Sequence, residues 1–254
     1  MTVAVGMAET GSAAGAAESL IERLFAAGAH YGFSRTRRHP SALPYLFGSK
    51  QGVDIFDLEK TSALLAEAKE FLREIGSRGG EALFVGTKEE VRELVRSRAE
   101  ALGAPYAVNR WIGGMLTNFS EIRKRLAYLA TLRDQHASGE LERKYTKKEH
   151  LLLSREMEKL SFNFGGIAQM ERLPSALVVV DPRHDALAVR EARDMQISVV
   201  AIMGSDCDSA LIAKPVFLND AHRASVSLAL DELVAGYQGG RAAAREAKEE
   251  SAHG

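Results

Sequence analysis

The sequence predicts an α/β protein, a parallel sheet flanked by helices, into which an antiparallel helical (coiled-coil) hairpin is inserted. Short β-branched runs alternate with helical patterns, as in a sheet covered by helices. Between Thr117 and Phe164 the alternation stops, and a strongly charged stretch carries two helical seams and no strand-like run. Two glycine pairs, Gly113–Gly114 and Gly165–Gly166, stand on either side of that stretch.

Residues 1–19 are small, lack any basic side chain and hold no compact apolar block, so a flexible N-terminal arm is expected rather than a targeting leader. The α/β domain is expected over 20–112 and 165–238. Its candidate strands are Val53 to Asp57, Ala82 to Val85, Pro105 to Val108, Ala176 to Asp181, Val199 to Met203 and Pro215 to Leu218. "TKEE" from Thr87 places an N-cap threonine three residues before Glu90, a capping box for the helix after Val85.

The hairpin insert is expected over 113–164. Phe119, Ile122, Leu126 and Leu129 form one seam, and Leu153, Met157, Leu160 and Phe164 the other. "TKKE" from Thr146 is a second capping box that starts the returning arm, and arms of about 20 residues would reach about 30 Å. The glycine pairs would let the chain leave and rejoin the sheet through one gap, with Trp111 as the buried anchor at the base. Residues 239–254 are expected to be a flexible C-terminal tail.

Composition bounds what this fold can do. The chain has 254 residues, 46% hydrophobic and 26% charged, enough for a substantial core. It contains no uncharged apolar run of the ~18 residues a spanning helix needs. Cys207 is the only cysteine, which excludes an intrachain disulfide and a cysteine-based zinc site and points to a reducing cytoplasm. The net charge of −1 hides an uneven distribution. Arg35, Arg37, Arg38 and Lys50 give +4 between His30 and Lys50, with no acidic residue among them. Eleven basic residues against seven acidic ones give another +4 from Arg110 to Leu160, whereas five against eight give −3 from Asp206 to the end.

Three classes of function fit the pattern. An enzyme would place its site at the carboxyl ends of the strands, where "DPRHD" supplies Asp181, His184 and Asp185, and "SDCDS" supplies Asp206, Cys207 and Asp208. These residues could hold a divalent metal, act as acid and base, or simply cap helices. "VGTK" has one glycine where nucleotide-binding fingerprints need several. His30 has no second histidine or cysteine at ligand spacing and suits a turn or core position. A free coiled-coil adaptor would need longer arms. A protruding, basic hairpin suits reaching across a large partner.

"RWIGGMLTN", from Arg110 to Asn118, resembles a signature of the bacterial small-subunit ribosomal protein S-two family. "LFAAGAHYGFSRTRRHPSALPYLFG" is similar to that family's N-terminal motif through Gly28, His30, Gly32, Pro40, Pro44, Tyr45 and Gly48. "DLEKT", "FVGTK", "TKKE", "REMEKL", "GGI" and "LPSALVVVD" follow in family order. The resemblance implies a flavodoxin-like α/β domain with a coiled-coil hairpin, no enzymatic activity and no cofactor. It also implies binding to 16S rRNA near the head–body junction and recruitment of the large ribosomal protein S-one, with neither a membrane nor a small-molecule substrate as partner. The chain departs from the family pattern at Arg38, His39, Ser41, Ala42, Leu43, Glu89 and Leu218 to Asp220.

Arginine suits phosphate through its planar fork, and folded rRNA offers phosphates and shape more than readable base edges. One RNA surface is therefore expected at Arg35, Arg37, Arg38 and Lys50. A second is expected near the hairpin base at Lys88, Arg110, Asn118 and Arg123, and Lys147 and Lys148 begin the returning arm. Trp111, Gly113, Gly114, Gly165 and Gly166 are expected to form the structural hinge.

Overall fold

A computed structural model describes residues 19–253, with side chains described through residue 246. The expected N-terminal arm lies outside these residues apart from Ser19. That serine closes a capping box with Glu22 at the start of α1 (Leu20–Ala26).

Five strands form one sheet: β4 (Ala82–Val85), β5 (Tyr106–Ala107), β6 (Ala176–Val180), β7 (Ser198–Met203) and β8 (Lys214–Phe217). Their order is β5-β4-β6-β7-β8 and every pair is parallel, the doubly wound order of flavodoxin-like proteins. The uninterrupted apolar runs follow from burial on both faces. In β6, Ala176, Val178 and Val180 pack on one side, with α2 (Leu58–Ser77), α3 (Glu89–Leu102) and α8 (Arg223–His253). Leu177 and Val179 pack on the other, with Trp111, the hairpin base and α7 (Ala186–Asp194).

The run from Val53 does not join this sheet. As β3 (Val53–Phe56) it is the middle strand of a separate antiparallel sheet, between β1 (Tyr31–Ser34) and β2 (Leu46–Lys50). Asp57 ends it and caps α2 through the backbone amide of Glu59 at 3.1 Å. The small sheet docks on the loop after β7. The Phe33 amide donates to Ser205 Oγ at 2.9 Å, and the His39 amide to the Ser205 carbonyl at 2.8 Å.

The hairpin consists of α4 (Phe119–Ala137), a short α5 (Glu140–Lys144) at its tip and α6 (Lys147–Phe164). Arms of 19 and 18 residues span about 28 and 27 Å at 1.5 Å per residue. The Thr146–Glu149 capping box is present. The seam of α4 is buried at Ile122, Leu126, Leu129 and Leu132, with Phe119 half-buried. That of α6 is shallower: only Phe164 is buried, and Leu153, Met157 and Leu160 are half-buried.

Where a flexible tail is expected from residue 239, α8 continues to His253. Gly240 lies inside α8 directly against the Arg73 carbonyl of α2. Lys69 of α2 adds an ion pair to Glu232 of α8 at 2.7 Å.

Candidate nucleic-acid interface

The hairpin base is organised by a carboxylate. Glu191, on the buried face of α7 beside Ala188 and Ala192, is 5% exposed and receives five hydrogen bonds from the segment Trp111–Thr117. Oε1 accepts from Trp111 Nε1 at 3.1 Å and from the Gly114 amide at 2.8 Å. Oε2 accepts from the Leu116 amide at 3.0 Å and from the Thr117 amide and hydroxyl, both at 3.3 Å. Burial pushes the carboxyl group up, but the amides of Leu116 and Gly114, the indole and the Thr117 amide outweigh it and hold Glu191 below its ordinary range.

This explains why one tryptophan, two glycines and a helix start stand together in "RWIGGMLTN". Trp111 is 7% exposed and fills the space between the sheet and the hairpin, and its N–H finds the partner a buried indole requires. Gly114 has φ +86°, a conformation side-chain-bearing residues rarely adopt, and this turns its amide onto Glu191. Gly113 has no such φ, and a Cβ there would come no closer than 3.7 Å to Leu187. The second pair divides in the same way. A Cβ on Gly166 would overlap the main chain and ring of Tyr106, whereas Gly165 faces open space.

The N-terminal cations occupy a short 3-10 turn, Arg35–Arg37, laid against the β2–β3 hairpin by a 2.9 Å bond from the Arg35 amide to the Gly52 carbonyl. Arg35 and Lys50 are both exposed. Arg37 is exposed, lies over the Phe33 ring and pairs with Asp206 at 3.1 Å. Arg183, which sequence reasoning missed, pairs with the same carboxylate. Arg38 behaves differently. It is half-buried and neutralises Asp54 of β3, a fully buried carboxylate that also accepts from Ser49 Oγ at 2.7 Å. His39 and Ser41 tie the same motif to the β7 loop, through Ser41 Oγ to the Cys207 carbonyl at 3.2 Å.

Lys88 lies at the carboxyl edge of the sheet, where the strand order reverses. Its ammonium pairs with Asp181 at 3.2 Å and stays charged, because Asp220 and Asp181 more than offset the effect of burial. Its charge is directed inward. The expected Thr87 cap is displaced for a related reason. Thr87 donates its amide at 3.1 Å and its hydroxyl at 2.7 Å to Asp185, so Lys88 becomes the N-cap of α3.

The rest of the candidate enzyme site does not assemble. His184 is exposed, and Asp206 turns to Arg37 and Arg183. Asp181, Cys207 and Asp220 do converge, with one ligand-type atom each within 4.8 Å of one another. They fit a metal poorly, since Asp181 is already paired and burial raises the Cys207 thiol far above its ordinary range, away from the thiolate a metal needs. Asp220 is 1% exposed, with no hydrogen-bond partner for either carboxylate oxygen. Burial, reinforced by Asp181 and only partly opposed by Lys88, raises its pKa to about 7. His30 stacks on Phe25 with ring centroids 4.6 Å apart, and burial lowers its pKa.

Around the hairpin, Arg110, Asn118, Arg123, Lys147 and Lys148 are all exposed. Arg110 borders a shallow cleft with Thr87, His184 and Leu187. Asn118 is the N-cap residue of α4 but makes no side-chain cap bond. Of the cations expected to meet RNA, those that are exposed thus fall on the small antiparallel sheet or at the base and along the length of the hairpin.

The family described as Ribosomal protein S2 matches residues 24–240. The chain is 45% identical over 205 residues to the small ribosomal subunit protein uS2 of Roseiflexus sp. (strain RS-1), covering 81% of this chain and 78% of the relative. It is 41% identical over 226 residues to that of Corynebacterium urealyticum, covering 89% and 84%. With that of Corynebacterium jeikeium it shares 39% over 232 residues, covering 91% and 84%. These relatives are named as ribosomal proteins and not as enzymes, which agrees with a carboxyl edge where Asp181, Asp185 and Asp206 serve internal pairs. With its flavodoxin-like sheet, inserted hairpin and "RWIGGMLTN" base, the chain belongs to the ribosomal protein S2 family of the small ribosomal subunit.

Proposed function

We propose that the chain is a structural constituent of the small subunit that binds 16S-type rRNA near the head–body junction through its two groups of exposed cations. In this role it supports subunit assembly, recruitment of ribosomal protein S-one and translation in the cytoplasm. The observation that carries the reading is the division among the arginines and lysines. Arg38 and Lys88 are consumed by Asp54 and Asp181, while Arg35, Lys50, Arg110, Arg123, Lys147 and Lys148 are exposed and form no ion pair among the described residues. Rigid elements hold these cations at fixed positions, as recognition of a folded RNA requires. The hairpin over 113–164 acts as a separable arm, and the Trp111–Thr117 turn sets its direction.

Co-sedimentation with small subunits at graded salt tests the proposal. The protein is expected in the subunit fraction, released as salt rises in proportion to the phosphates it neutralises. A protein that stays at the top of the gradient while other small-subunit proteins pellet would rule the reading out.

A further inference from the structure

We propose that the opposite, amino-terminal edge of the parallel sheet carries another RNA-phosphate site, centred on Arg172, Arg241 and Arg245. This inference rests on the small-subunit reading and adds a face to which neither group of cations above belongs. The three guanidiniums line a cleft between the turns entering β4 and β5 and the distal half of α8. Arg241 and Arg245 are four residues apart and so share one face of that helix. Against three arginines the cleft lining sets one carboxylate, that of Glu81.

Arg172 and Arg241 are positioned without being neutralised among the described residues. Arg172 donates from Nη2 to the Gly79 carbonyl at 2.7 Å. Arg241 donates to the Leu102 carbonyl and lies over the Tyr237 ring, 5.7 Å from its centroid. Neither forms an ion pair with a carboxylate among the described residues, unlike Arg38, Arg73, Arg96 and Arg98 on other faces. A guanidinium has five N–H donors, so one bond to a carbonyl fixes its plane and leaves the rest of the fork for a ligand.

The floor suits a phosphate backbone. A Cβ at Gly79 or Gly103 would meet nothing within 4 Å, so main chain lies open to a close-approaching strand. Beneath it Tyr237 is fixed, its hydroxyl donating to the Gly80 carbonyl at 3.0 Å and accepting from the Ala82 amide at 3.3 Å. The lining offers no exposed large apolar side chain, so a protein partner would find charge but no pocket for a hydrophobic anchor.

The test uses reconstituted small subunits and a hydroxyl-radical probe tethered to a new cysteine. Cys207 can remain, since it is 1% exposed and its thiol is held protonated. Ala244→Cys places the probe in the cleft, Thr36→Cys places it on the small-sheet face, and the unaltered chain gives the background. Discrete rRNA cuts are expected from both positions. In addition, Arg172→Gln with Arg245→Gln should lower the log–log salt slope of binding by about 1.4 to 1.8, two phosphate contacts. Cuts from Thr36→Cys alone, or cuts from Ala244→Cys that fall only on a neighbouring protein, would overturn the inference while leaving the proposed function standing. No rRNA cut from either position would overturn both.

Discussion

The sheet domain and the hairpin are held by different physics. Strands β4, β6 and β7 are buried on both faces, and their side chains alternate between two apolar cores. The hairpin has one seam, deep on α4 and shallow on α6, where Leu151, Leu152 and Phe162 are 51%, 53% and 57% exposed. The seam joins the second sheet core at Ile122, Leu126 and Phe164, and Glu191 and Trp111 tie its root to α7. Packing serves the strands, and the root of the arm adds to packing one buried carboxylate with five donors.

The largest expected effect belongs to the domain. Asp220 is raised from 3.8 to about 7 in the folded state, so its contribution to stability is full below its unfolded value and is lost as pH rises through about 7. Asp220→Asn should remove that decline and stabilise the fold at pH 8.5 by up to about 4 kcal/mol, at about 1.4 kcal/mol per pH unit. Denaturant unfolding at pH 5 and pH 8.5 checks this, with Trp111 fluorescence of the native state expected to stay unchanged. A shift in that fluorescence would show that the two regions are not independent.

Next comes Glu191→Gln, which puts an amide N–H₂ where donors converge and should cost about 2–3 kcal/mol, concentrated at the hairpin base. Amide exchange at Trp111–Thr117 should accelerate more than exchange in β6. The sign with pH is opposite to that of Asp220. The depressed pKa of Glu191 stabilises above its ordinary value, and this is lost as pH falls through the lowered one. In wild type, the emission of Trp111, the only tryptophan, should therefore change on acidification before the domain unfolds.

The glycine pair gives a smaller, sharper contrast. Gly114→Val forces a β-branched residue to φ +86° and should cost about 1–3 kcal/mol and reduce incorporation into subunits. Gly113→Val should do little, and equal defects in a competition assay would contradict the assignment. Least costly to stability is Arg35→Gln with Arg37→Gln, expected to change it by less than about 0.5 kcal/mol while weakening competition with wild type for subunits. Arg38→Gln should instead lower the melting temperature, because it strands Asp54 inside the small sheet.

Much of the domain was legible because strands buried on both faces leave continuous β-branched runs, and five such runs became the parallel sheet. The small antiparallel sheet was not. "YGFS" and "LFGSK" contain glycine, hold no fully buried residue and show no strict alternation, so β3 was assigned to the wrong sheet. Thr87 misled because the local capping rule is overridden by a distant partner, Asp185. Trp111 was readable as an anchor. Glu191 was not, although a glutamate between Ala188 and Ala192 on the apolar face of an amphipathic helix is a visible anomaly. Exposed cations were identifiable by type, but which were already neutralised depended on Asp54 and Asp181, whose positions only the tertiary structure fixes.

The root of the hairpin also imposes an order on synthesis. Leu116 precedes its acceptor Glu191 by 75 residues, all of which must leave the exit tunnel before the turn can close. At about 5 to 20 residues per second, Leu116 waits about 4 to 15 seconds for its acceptor. Until β6 emerges, α4 and α6 can pair only with each other, and β4 has only β5 beside it. A ribosome making this chain therefore carries an arm with its apolar seam closed and its basic surface already displayed, but with no fixed direction until α7 emerges.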